Sequence, residues 1–160
     1  MKKSMAGAFL TLVYALVILL PVVAGADAGP DDNTSTNKQI TPSDVAALYQ
    51  TGYDQMKAGR YRDAIKAFQQ VISLDENHAM AYTNMAYSYR QLGKFKKAVK
   101  LYHQALAIDP NLAEAHEYLG GALIELGQID EAKKHLAILE KLDPKLADEL
   151  RDEIARNGRS

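Results

Sequence analysis

Three glycines, Gly59, Gly93 and Gly127, stand 34 residues apart. The same interval separates Ala64, Ala98 and Ala132, and the small residues Gly52, Ala86 and Gly120. Large apolar residues keep step at two further offsets: Tyr61, Phe95 and Ile129, then Phe68, Tyr102 and Leu136. Pro110 and Pro144 follow the same interval, with Glu76 where a first proline would stand. Five offsets shared by three copies mean one structural unit used three times. A chain built this way grows by stacking, and each unit buries its apolar face on its neighbours.

Each copy reads as two helices. Ala46, Leu48, Tyr49, Gly52, Tyr53 and Met56 recur at helical spacing. Gly59, Gly93 and Gly127 lie where one helix must stop and reverse, a place that asks for positive φ. The small residues at 52, 86 and 120, and the alanines at 64, 98 and 132, let two helices approach, and the large residues beside them fill the gaps. Thr41-Pro42-Ser43-Asp44 has capping-box spacing. Asp109-Pro110 and Asp143-Pro144 are predicted to start the helices that follow them, an acid cap and then proline in the first turn.

Period and pattern together resemble the tetratricopeptide repeat. The middle copy shows it best: Tyr82-x2-Met85-Ala86-x2-Tyr89, then Gly93, Ala98-x3-Tyr102, Ala105 and Pro110. The third runs His116-x2-Leu119-Gly120-x2-Leu123, then Gly127, Ala132-x3-Leu136, Leu139 and Pro144. The first departs at Thr51 and Gln55, where the family carries apolar residues; an end repeat has no preceding neighbour to pack against. The resemblance covers Val45 to Leu146, as repeats 45–78, 79–112 and 113–146. After it, Leu146, Leu150 and Ile154 form one apolar stripe on an otherwise charged helix, which suits a cap over the last repeat. The expected fold is all-α: an α-solenoid, a right-handed superhelix of three helix-turn-helix units with a C-terminal capping helix and tail in 147–160.

The N-terminus is different in kind. Lys2 and Lys3 precede a stretch without charge from Met5 to Ala24, interrupted by Pro21 and followed by Ala24-Gly25-Ala26. These are the three parts of a secretory signal peptide, residues 1–26, cut after Ala26. The competing reading is an uncleaved anchor, because Met5 to Val23 as a helix would reach roughly 28 Å. Both readings keep the two lysines in the cytoplasm and export the rest. The expected location is therefore periplasmic or secreted, the alternative being a membrane anchor with the repeats outside the cytoplasm. Residues 27–44 are assigned to a linker, polar and without periodicity through Ile40. Loss of 1–26 takes Lys plus Arg from 19 to 17 against 20 acids, so the net charge goes from -1 to -3. The chain has no Cys, which excludes disulfides, thiolate metal sites and a Cys nucleophile.

Nothing in the pattern points to catalysis, a metal or a cofactor. His78, His103, His116 and His135 are never three or four apart, so no single helix face carries a ligand pair. Gly120-Gly121 falls inside a helix and reads as packing. The basic run Lys94 to Lys100 reads as a solvated helix face around Phe95, Ala98 and Val99; with a net acidic chain, no nucleic-acid partner is expected. The family resemblance instead implies a concave groove, lined by the first helix of each pair, that holds a peptide or protein partner. Its lining would be Tyr49, Tyr53, Met56 and Lys57, then Met80, Thr83, Asn84, Tyr87 and Arg90, then Glu114, Glu117, Tyr118, Gly121 and Glu125. Tyrosine suits such a surface, with large contact area and a hydroxyl at low entropy cost. Some chaperone-binding relatives use a Lys, Arg and Asn clamp for a C-terminal carboxylate. Here Asn84 matches one clamp position, but Tyr49, Tyr53, Glu114 and Tyr118 occupy others, so a basic or aromatic segment fits better. The resulting expectation is a non-enzymatic scaffold for envelope complex assembly, or an accessory subunit of an exported enzyme complex. Membrane contact is expected only through an uncleaved 1–26, and homo-oligomer formation stays open. Cytoplasmic secretion chaperones also use three such repeats, and the export signal argues against that reading.

Overall fold

The computed structural model of the protein describes residues 41–157; the expected signal peptide, 1–26, and the expected linker up to residue 40 lie outside the described residues. The described chain forms α1 (Pro42–Lys57), α2 (Tyr61–Leu74), α3 (Ala79–Gln91), α4 (Phe95–Ile108), α5 (Ala113–Glu125), α6 (Ile129–Leu142) and α7 (Pro144–Asn157). These are three helical hairpins and a cap, an all-α solenoid. None of these helices is long and apolar enough to cross a membrane.

The three spaced glycines close each hairpin in one way. Gly59, Gly93 and Gly127 have φ of 73°, 70° and 71°. The residue after each glycine donates its N–H back across the turn: Arg60 to Gln55 O, Lys94 to Tyr89 O and Gln128 to Leu123 O. That bond satisfies a carbonyl left open by the helix end, and only glycine takes the positive φ without strain.

Side-chain caps start α1 and α7, and three boundaries differ from expectation. Thr41 and Asp44 form the capping box, with Pro42 in the first turn. Residues 42–44, counted above with the linker, are therefore helical. Asp143 Oδ1 accepts from the N–H of Lys145 and Leu146 at 3.0 and 3.2 Å, so α7 starts at Pro144, where the Asp-Pro pair was expected to start it, and takes in residues 144–146 assigned above to the third repeat. Asp109-Pro110 does not start a helix. Asp109 accepts from Asn111 N at 3.0 Å within a turn, and α5 begins later, at Ala113 after Leu112. Pro110 sits in that turn, where a missing N–H costs nothing.

Helices α1, α3, α5 and α7 touch in succession, while α2, α4 and α6 each touch only the helices before and after them in the chain. The first row is drawn together and the second splayed, so the stack is concave on the side of α1, α3 and α5. The core runs between the rows through Phe68, Val71, Ala86, Tyr102, Leu119, Leu139 and Leu150.

Candidate functional site

Helical spacing places Tyr53 with Met56 and Lys57, Met80 with Thr83, Asn84 and Tyr87, and Glu114 with Tyr118 on one face of α1, α3 and α5. These nine residues and Tyr61 at the start of α2 line one cavity of about 320 Å³. Tyr53 is 37% exposed, so the cavity opens to water. Three of the tyrosines form a connected wall. Tyr61 meets Tyr87 edge-on at 6.4 Å between centroids, and Tyr87 meets Tyr118 at 5.2 Å. Behind them Tyr102 lies 6.3 Å from Tyr118, fully buried, and its hydroxyl has no hydrogen-bond partner among the described residues. Burial, then Glu117, Tyr87 and Glu114, push the Tyr118 hydroxyl up to about 12, so the phenol stays neutral.

The other groove candidates have different positions. Tyr49 is outside the cavity wall. Its ring stacks on His78 at 4.9 Å, and its hydroxyl accepts from Asn84 Nδ2 at 2.8 Å. Tyr49 thus supports Asn84 from behind, and the buried amide nitrogen of Asn84 is already used. Arg90 also leaves the wall: its guanidinium donates to Glu153 of α7 at 2.9 Å, with both side chains mostly buried. It lies over Gly121, where an added Cβ would be 2.6 Å from Nη2. Beside it, a Cβ on Gly120 would sit 2.5 Å from a Leu150 methyl, so the two glycines make room for an arginine and for the capping helix. Glu117 is half-buried near the same pair. Burial raises its carboxyl to about 7, with Glu153, Glu149 and Glu114 adding to the shift and Arg90 opposing it. Glu125 is exposed at the end of α5, outside the cavity wall.

Two features could not be read from spacing along one helix. Tyr61 entered the pattern as a repeat apolar position and turns out to close the cavity. The histidines of α4, α5 and α6 converge: His116 Nδ1 and His135 Nδ1 are 2.9 Å apart, and the His103 ring is 6.4 Å from that of His135. His116 Nε2 faces the Pro110 carbonyl at 3.0 Å and must carry a proton, because a carbonyl only accepts. A neutral His116 then accepts at Nδ1 from His135. Burial, with His116 and His103 nearby, lowers His135 to about 4. Among the described residues no three His, Cys, Asp or Glu side chains are placed to hold a metal ion. The lysines of the 94–100 run are exposed, and Lys97 Nζ lies 4.2 Å from the centre of the Tyr89 ring.

Tetratricopeptide-repeat profiles match residues 45–78 and 67–100, and a TPR repeat profile matches 86–127. The chain carries tetratricopeptide repeats. Among solved structures, the first TPR of Spaghetti (RPAP3), bound to the HSP90 peptide SRMEEVD, is 27% identical with a TM-score of 0.68, over 76% of this chain and all of that one. The second TPR domain of human RPAP3, in complex with the HSP70 peptide SGPTIEEVD, is 28% identical with a TM-score of 0.64, over 69% and 94% of the two chains. The Yersinia enterocolitica type III secretion chaperone SycD, in complex with a peptide of the translocator YopD, shares the fold at 19% identity and a TM-score of 0.68, over 75% and 96%. No curated protein matches the sequence.

Proposed function

We propose that this protein is an exported, non-enzymatic interaction module that holds a peptide or protein partner in the tyrosine-walled cavity and serves in envelope complex assembly. The observation that carries the reading is the cavity itself: three successive repeats contribute to one open, aromatic surface. The structural relatives described above hold peptides, which supports a binding role for the same fold here. Their two peptides end in acidic residues, whereas the wall here carries Glu114 with Glu117 beside it, so the partner segment would be of a different charge. Export rests on the basic start, the charge-free stretch and the Ala24-Gly25-Ala26 site.

The test of the groove is the double variant Tyr53→Ala with Tyr87→Ala, checked for helicity and then used to capture partners from the native envelope. Capture equal to that of the native protein would end the groove assignment. The intact mass of the native protein tests export: loss of 1–26 supports cleavage. A retained segment supports the second reading, a membrane-anchored scaffold, favoured by the length of the apolar run from Met5 to Val23.

A further inference from the structure

Four tyrosines and a carboxylate around one small cavity are more specific than a peptide groove requires. Tyr53, Tyr61, Tyr87 and Tyr118 come from three helical hairpins, and Glu114 stands in the same wall. The Tyr87 ring is within 6.4 Å of Tyr61 on one side and 5.2 Å of Tyr118 on the other, so three of the four rings are in contact, and Tyr53 completes the lining. A ring face carries negative quadrupole density, and a phenol oxygen accepts a hydrogen bond. The ring faces and the Glu114 carboxylate give the lining its preference for a cation, since the phenol O–H groups can donate as well as accept.

The surrounding charge has the same sign. Glu153, Glu149 and Glu114 all act on Glu117 at the third-repeat end of the groove, opposed by the guanidinium of Arg90, while Glu149 also pairs with Lys145 at 3.9 Å. That guanidinium is already bonded to Glu153. Lys57 also borders the cavity, but it is an exposed residue in the last turn of α1, on a long flexible stem that reaches water. The hydroxyl of Tyr118 is held neutral, so the box adds no phenolate of its own. The chain makes the same kind of contact elsewhere, where Lys97 Nζ covers the Tyr89 ring at 4.2 Å.

We propose that the cavity is a pocket for a side-chain cation, the ammonium or guanidinium of a basic peptide, with Tyr53, Tyr61, Tyr87 and Tyr118 as the box and Glu114 as the counter-charge. This rests on the groove reading and narrows it: the peptide runs along the concave face and anchors through one basic residue.

The test uses the full-length chain and three pools of N-acetylated, C-amidated heptapeptides with degenerate flanks and a central lysine, norleucine or glutamate. Norleucine keeps the stem of lysine and removes its charge. Retention of the lysine pool should exceed that of the norleucine pool by about tenfold, the size of a partly desolvated cation–ring contact. The glutamate pool should be retained least. Glu114→Gln, at an exposed position, should cut the lysine preference about threefold to tenfold and weaken its salt dependence. Tyr87→Leu should abolish the preference, while Tyr87→Phe, which keeps the ring, should preserve it. Equal retention of lysine and norleucine pools overturns the cation pocket and leaves the groove standing, as does a preference for glutamate. Retention unaffected by Tyr53→Ala with Tyr87→Ala overturns the groove reading and the pocket with it.

Discussion

Thr51 lies in water, while Leu119, two repeats later at the same place in its helix, is fully buried. The two helices that carry them differ as much. Only Gly52 is buried in α1, whereas α5 buries eight residues between Ala115 and Ile124. The reason is their neighbours. Among the described residues α1 packs on α2 and α3, while α5 is enclosed by α3, α4, α6 and α7. Even a shared small residue does different work at the two ends: Gly52 makes room for Phe68 of its own hairpin, and Gly120 for Leu150 of the cap. Burial in a stacked fold is set by place in the stack as much as by place in the repeat.

The largest contrast should come from truncating one leucine at each end. Leu150→Ala should cost about 3 kcal/mol, since the side chain is fully buried and its cavity can close only in part. Leu48→Ala, half-buried in α1, should cost about 1 kcal/mol. Urea midpoints at unchanged slope measure both, and equal losses would break the comparison of the two ends. Next is Gly120→Ala, expected to cost roughly 1–3 kcal/mol by overpacking against Leu150. In the Leu150→Ala background that cost should shrink, and a double-mutant cycle with no coupling would detach Gly120 from the cap.

The third repeat should also carry the pH dependence. His135 titrates near 4 when folded and near 6.5 when unfolded, so the unfolded chain binds the extra proton. Its contribution is present above pH 6.5 and is lost as pH falls toward 4, by about 1–2 kcal/mol after discounting for solvent screening. Glu117 has the opposite sign. Its folded value near 7 exceeds the unfolded 4.5, so stability is lost as pH rises through that window. His135→Leu should flatten the acid limb of a stability–pH curve. Glu117→Gln should be more stable than the native protein at pH 8, by about 1–2 kcal/mol after the same discount, and similar to it at pH 4. A native-like curve in both variants would place the titration elsewhere. The smallest effect is Thr51→Met, which restores the repeat pattern at the open end. With no neighbour among the described residues to bury it, it should change thermal stability by less than about 0.5 kcal/mol. A gain comparable to the loss from Leu150→Ala would mean that the first repeat is covered.

Much of the cavity was legible because groove positions follow from helix spacing: Tyr53, Met56 and Lys57, then Met80 to Tyr87, then Glu114 and Tyr118 share one face of three aligned helices. Spacing gives direction but not partners, and the exceptions follow from that. Tyr49 points toward the same side and is held back by Asn84 and His78. Arg90 is taken by Glu153, 63 residues later. His116 and His135 meet across two helices at a separation of 19, with no trace in the one-helix spacing of three or four.

The sequence by itself determined the period, the helix pairs and their turns. Those depend on local physics: glycine at positive φ, a capping box, an apolar stripe every third or fourth residue. The tertiary structure decided which tyrosines line the cavity, which glutamate lies near the arginine that the capping helix binds, and which histidine stays uncharged. Each of those outcomes depends on desolvation and on a partner supplied by another helix, and neither is encoded at the residue itself.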